Sequence, residues 1–134
     1  MNTKRYIFAA LATFVFVFIY GWLVHGVLLM DFYMQSKDVW RDFKEMEDNF
    51  LLTCTYQLVL SFWTAFVFTK LFPSGGFNNG ITMGLYFGVF AGILTAAWYL
   101  WLPVPAPLGL GWFISGIGEG LGSGIILGLI YKKS

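Results

Sequence analysis

The stretch LGLGWFISGIGEGLGSGIILGLI, residues 108–130, decides how this chain folds. As an α-helix it extends for about 35 Å, enough to cross the ~30 Å hydrocarbon core of a bilayer. Its one formal charge is Glu119, and Gly116, Gly120, Gly124 and Gly128 recur at four-residue intervals. A helix gathers such a row onto one face. A second row, Gly80, Gly84, Gly88 and Gly92, lies upstream. Lipid supplies little hydrophobic drive between helices, so association relies on close backbone approach at rows of small residues. The alternating prolines of Pro103-Val-Pro105-Ala-Pro107 favour a short, stiff bend between the two rows. The simplest expectation is that the rows pack against each other. The alternative is that one row serves this hairpin, while a second set (Gly118 and Gly122 stand two residues out of phase) mates with another protomer or a different protein.

Outward from these rows, residues 6–30, 50–69 and 81–102 are also long and apolar, and the first of these carries no formal charge. The runs are continuous, not alternating as barrel strands would be, and lone strands cannot satisfy their backbone in lipid. The expectation is an all-α membrane protein: one four-transmembrane-helix bundle over residues 1–134, completed by 108–130. Lys4 and Arg5 ahead of the first run resemble a signal peptide. That run is about twice a signal core in length, and no small-x-small site follows, so a retained helix is expected. Composition agrees, with 58% hydrophobic residues, 11% charged and a mean hydropathy of +0.72. A soluble domain carries roughly a quarter charged residues. A water-soluble monomer and a disordered chain are excluded, and a net charge of +1 leaves no basic face for nucleic acid. A single cysteine, Cys54, makes neither an internal disulfide nor a cysteine cluster.

Between the first two spans, residues 31–49 concentrate six acidic and three basic side chains. Val39, Trp40, Phe43, Met46 and Phe50 fall at three- and four-residue spacings, predicting an amphipathic helix in the headgroup zone with Trp40 and Phe43 as interfacial anchors. The same face could instead cap the bundle, since periodicity does not say whether lipid or protein covers it. Lys4, Arg5, Lys70, Lys132 and Lys133 share one side of the membrane, against Lys37, Arg41 and Lys44 on the other. The excess of basic residues marks the cytoplasmic side. Both termini are therefore expected inside, with residues 31–49 and the proline bend outside.

Glu119 is the main candidate for function. An ionised carboxylate at membrane depth is costly unless paired or hydrated, and it marks a functional site by default. Ser115, Glu119 and Ser123 run at four-residue spacing beside the glycine row, which directs the carboxylate towards protein or a hydrated gap. Measured from the outer surface, His25 should lie ~8 Å deep, Gln57 and Thr95 ~10 Å, and Glu119 ~16 Å. All four helices thus offer a polar group within one band that long side chains or a water could bridge. The functional reading is a proton-responsive site or a polar lining; the structural reading is a Glu that fastens the last helix to its neighbours. His25 alone fits a packing role better than a ligand. No metal site is expected: Met30, Asp31, Met34, Met46, His25 and Cys54 contain no Met-x-Met, Cys-x-x-Cys or histidine pair. No cofactor is expected either, and no nucleophile–base pair or phosphate loop points to an enzyme.

The runs His25-Gly-Val-Leu-Leu-Met-Asp31, Trp40-Arg41, Leu102-Pro-Val-Pro105, Trp112-Phe113 and Gly128-Leu-Ile-Tyr-Lys132 resemble small, uncharacterised four-helix inner-membrane proteins of bacteria. The resemblance implies that topology and a bacterial inner-membrane location, and carries no activity or site residues. Small multidrug-resistance transporters are a second comparison in size and helix number. Their essential glutamate lies in the first helix, whereas Glu119 is in the fourth. The expected function is an accessory or structural subunit that packs against a larger membrane complex through its glycine-rich faces. The competing expectation is a homo-oligomeric transporter or channel with Glu119 as its proton- or cation-responsive group. Its partners would be the bilayer and either another membrane protein or further copies of itself.

Overall fold

Asn2 opens the first helix by accepting the Arg5 N–H at 3.1 Å, which satisfies one of the backbone donors left free at a helix start. In a computed structural model of the protein, which describes residues 1–132, the chain then runs as α1 (Thr3–Leu23), a π-helical turn (Val24–Leu28), α2 (Met30–Gln35), a 3-10 turn (Lys37–Val39), α3 (Phe43–Asp48), α4 (Phe50–Leu71), α5 (Phe77–Ala96), a second 3-10 turn (Ala97–Leu100) and α6 (Ala106–Ile130). No strand occurs among the described residues. Four helices are long and apolar enough to cross a membrane: Thr3–Leu28, Phe50–Leu71, Phe77–Leu100 and Ala106–Ile130. The chain is a multi-pass membrane protein. Lys133, counted in the charge asymmetry, lies outside the described residues.

Two boundaries differ from expectation for local reasons. The third span starts at Phe77, four residues before the expected 81, because the turn ends at Gly76 and not at Asn78-Asn79-Gly80. Gly75 and Gly76 take positive φ angles of 70° and 110°, and Asn79 Nδ2 donates to the Gly75 carbonyl at 2.7 Å. The last span starts at Ala106 with Pro107 in its first turn, where the missing N–H is no loss.

The single amphipathic helix expected between the first two spans is divided. Ser36 Oγ lies 3.3 Å from the Phe32 and Tyr33 carbonyls, and Trp40 Nε1 donates back to Ser36 Oγ at 3.1 Å. These bonds close a tight turn, after which Trp40 and Asp42 are extended and Asp42 caps the short α3 by accepting from Glu45 N at 2.8 Å. Trp40 and Phe43 therefore do not share a helix face. Phe32, Tyr33, Val39 and Trp40 pack on a cluster of Val24, Leu29, Val104, Leu108 and Trp112 at one end of the long helices. α3 is exposed throughout, including Phe43 and Met46.

The two glycine rows meet. A Cβ added at Gly84 would stand 2.5 Å from the Gly120 carbonyl oxygen, one at Gly88 2.9 Å from that of Gly116, and one at Gly92 2.6 Å from that of Phe113. Gly80 faces Gly124 and Gly128 in the same way, and Gly76 N donates to Gly128 O at 3.0 Å. These are backbone-to-backbone approaches that no larger residue permits. The out-of-phase glycines serve a different neighbour: Gly118 lies under the Tyr20 ring and Gly122 under that of Phe16, both on α1. α6 thus sits between α5 on one flank and α1 on the other, while α4 packs on the far side of α1. α4 and α5, at the two ends of this arc, share no extended interface. A second core cluster, of Ala9, Ala10, Ala65, Phe68, Met83, Leu127 and Tyr131, ties all four long helices together at the other end.

Candidate functional site

The arc of helices leaves a cavity of about 190 Å³ along its concave side, lined by residues of all four long helices. Helical periodicity explains why α6 forms its floor. At about 100° per residue, the row 116/120/124 turns to α5 and the pair 118/122 to α1, which leaves 112, 115, 119 and 123 on the intervening face. Trp112, Ser115, Glu119 and Ser123 accordingly line the cavity. α1 contributes Thr13 and Val17, and the π-helical turn that continues it contributes His25; α4 contributes Leu60, Ser61 and Thr64; α5 contributes Met83, Phe87, Ala91 and Thr95 among others. The mouth lies between α4 and α5, where Leu60 and Phe87 are each 38% exposed, whereas Met83 and Trp112 at the two ends are buried.

Most hydroxyls in the cavity are satisfied by their own helices, as Thr and Ser commonly are in membrane spans. Thr13 donates to Ala9 O and Thr64 to Leu60 O, both at 2.8 Å, Thr95 to Ala91 O at 2.9 Å and Ser115 to Trp112 O at 3.0 Å. Ser61 Oγ is buried and has no hydrogen-bond partner. Glu119 makes no hydrogen bond or ion pair among the described residues. The cavity therefore holds one carboxylate and a nearby set of hydroxyls with unspent capacity.

Of the polar groups expected to share a band, the structure brings His25, Thr95, Ser115, Glu119 and Ser123 to one cavity. Gln57 is elsewhere: its amide nitrogen lies beside Gly21 at the α1–α4 contact, and its buried Oε1 is unpartnered. His25 does not pair with Glu119. Its Nδ1 is 2.7 Å from the Tyr33 hydroxyl, which also accepts from Trp112 Nε1 at 2.7 Å. An indole nitrogen only donates, so it occupies the phenol as acceptor and leaves the O–H to donate to Nδ1. This puts the imidazole proton on Nε2. Burial pushes the Tyr33 phenol above its ordinary pKa, partly opposed by the Trp112 bond, so it stays a donor near neutral pH. Trp40 closes this corner edge-on to Tyr33 at 5.2 Å and to Trp112 at 6.0 Å.

Sequence reasoning missed Tyr33, Trp112 and Ser61. The only signal for Ser61 was its place one turn after Gln57; for Tyr33 there was none, because it reaches His25 through a π-helical turn, in which Leu29 N bonds to Val24 O at 2.8 Å. Tyr33→Phe should remove both bonds and leave the buried Trp112 N–H unpaired, at a cost of about 1–3 kcal/mol. Thermal unfolding of the detergent-solubilised chain, followed by near-ultraviolet circular dichroism of the tryptophans, checks this. An unchanged melting temperature would contradict the bonding described.

Comparison with protein-family models, curated proteins and solved structures returns no match for this chain. The functional reading rests on the cavity itself.

Proposed function

We propose that this protein is a small membrane transporter or channel, working as a homo-oligomer, in which Glu119 is the proton- or cation-responsive group. One observation carries the reading: the Glu119 carboxylate lines a largely apolar cavity common to four membrane-length helices, with no protein partner among the described residues. A residue that merely fastened helices would be expected to spend its oxygens on a neighbour, as Tyr20 does on the Ser115 carbonyl at 2.9 Å. The location that goes with this reading is the bacterial inner membrane, with the residues before α1 and after α6 in the cytoplasm. The excess of basic residues at those ends supports it. The divided 31–49 segment then lies outside, with Phe43 of α3 in the headgroup zone. The test is proton flux into liposomes loaded with a pH-sensitive dye, comparing the wild-type chain with Glu119→Gln at equal incorporation.

A second reading, an accessory subunit of a larger membrane complex, draws on α4. That helix rests mainly on α1 and exposes Leu51, Leu52, Tyr56, Val59 and Trp63. The Gly80–Gly92 and Gly116–Gly128 rows, expected as the glycine-zipper docking face, are filled by each other, so a partner would cover α4 instead. Gentle native purification with mass spectrometry separates the readings: a stoichiometric second polypeptide favours the subunit, a homo-oligomer the transporter.

A further inference from the structure

We propose that the Glu119 cavity binds a long-chain primary ammonium compound that enters sideways from the bilayer between α4 and α5; this rests on the reading of Glu119 as a cation-responsive group. The charge of the ligand follows from the lining. The cavity offers a single carboxylate, and no cluster of three or more His, Cys, Asp or Glu exists among the described residues. It therefore suits one positive charge and lacks the several oxygen-donor carboxylates that a divalent cation gathers. An ammonium group brings three N–H donors. Glu119 and the free Oγ of Ser61 are acceptors without donors, and Ser123 adds a second hydroxyl on the same lining.

The route follows from where the cavity opens. Phe68, Leu127 and Tyr131 are fully buried at one end, and Tyr33 and Trp40 pack over Trp112 at the other. The mouth faces lipid between half-exposed Leu60 and Phe87, so the ligand must be soluble in the bilayer. Size sets its shape. About 190 Å³ is below the 300–1,000 Å³ of sites that enclose a drug-sized molecule, so the cavity takes the head group and first carbons while the tail stays among the lipid chains. A helix from a second copy does not fit: it needs a channel about 10 Å across. Nor does a second copy offer a cation at this depth, because every Lys and Arg lies at the helix ends or in residues 31–49.

The test is equilibrium binding of tritiated dodecylamine to phosphatidylcholine vesicles containing the full chain, with protein-free vesicles giving the background partition. Saturable binding of one amine per chain is expected, weakened at least ~10-fold by Glu119→Gln, which keeps the side-chain volume. Dodecanol should not compete, and dodecyltrimethylammonium, lacking N–H donors, should compete about 10-fold less well. Ala91→Trp, at the mouth and away from the carboxylate, should also weaken binding. Uptake equal to that of protein-free vesicles, or equal affinity in Glu119→Gln, overturns the proposal. So does a homo-oligomer that falls apart in Glu119→Gln while amine binding is absent, since the carboxylate would then serve a second copy. Glu119-dependent proton flux without amine binding removes only the ligand class; absence of both removes the transporter reading as well.

Discussion

Gly120→Val should leave almost no folded protein. The added Cβ would meet the Gly84 carbonyl oxygen and the Gly88 nitrogen at 2.5 Å, and it would lie closer still to the Gly88 Cα. These are backbone atoms of the facing helix, so no side chain can swing aside. The only relief is to part α5 from α6, the most extensive interface in the molecule. Overpacking a core usually costs 1–3 kcal/mol; here the loss should exceed about 3 kcal/mol, because separation also forfeits the rest of the seam. Gly26→Ala is the control, since its Cβ would sit at an ordinary 3.4 Å from the Trp22 ring. Helical ellipticity against temperature in mild detergent, with the yield of monodisperse protein, reads the effect. Melting temperatures within a few degrees of each other for the two variants would mean that the seam is not packed as described.

Glu119→Gln should separate function from stability in the opposite sense. Glutamine keeps the shape of the side chain and its hydrogen-bonding capacity but can never carry a charge. An ionised carboxylate at the centre of a membrane helix costs several kcal/mol, and Glu119 has no protein partner among the described residues to offset it. Its loss should therefore leave the melting temperature unchanged or raised, while proton flux falls at least ~10-fold. Glu119→Asp, which keeps the charge on a shorter arm, should retain part of the flux. A destabilised glutamine variant with normal flux would make Glu119 a structural fastener.

How much of this was readable beforehand depends on which interactions are local. Residues 108–130 announce a membrane helix because bilayer thickness acts on length and composition alone. The spacing of Gly116 to Gly128 and of Gly80 to Gly92 announces close approach because a helix turns spacing into a face. The partner of Tyr33 is another matter. His25 and Tyr33 meet through a π-helical turn, and Trp112 joins them from α6, 79 residues further along the chain. No local pattern encodes that meeting. The break at Trp40–Asp42 was hidden for a related reason. The apolar spacing from Val39 to Phe50 is helical, but Ser36 and Asp42 spend their side chains on turn and cap bonds that override it. The position of Glu119 was visible as a place beside the glycine row, whereas the emptiness in front of it was not. That gap exists because α4 follows α1 and does not close on α5, and the sequence of α4 carries no mark of the neighbour it lacks.

The π-helical turn at Val24–Leu28 also gives the chain a way to redirect its histidine by a single genetic event. Such a turn holds one residue more than an α-helix closing the same loop. Deleting one codon there would let α1 run on as a regular helix, with its length in the membrane hardly altered. The residues on either side of the deletion would keep their faces, because the regular helix closes the same loop with one residue fewer. Only residues within the turn, His25 among them, would change direction, and the remaining helices would need no compensating change. A one-residue deletion within Val24–Leu28 is therefore a change that would alter the chemistry of this corner while leaving the architecture in place.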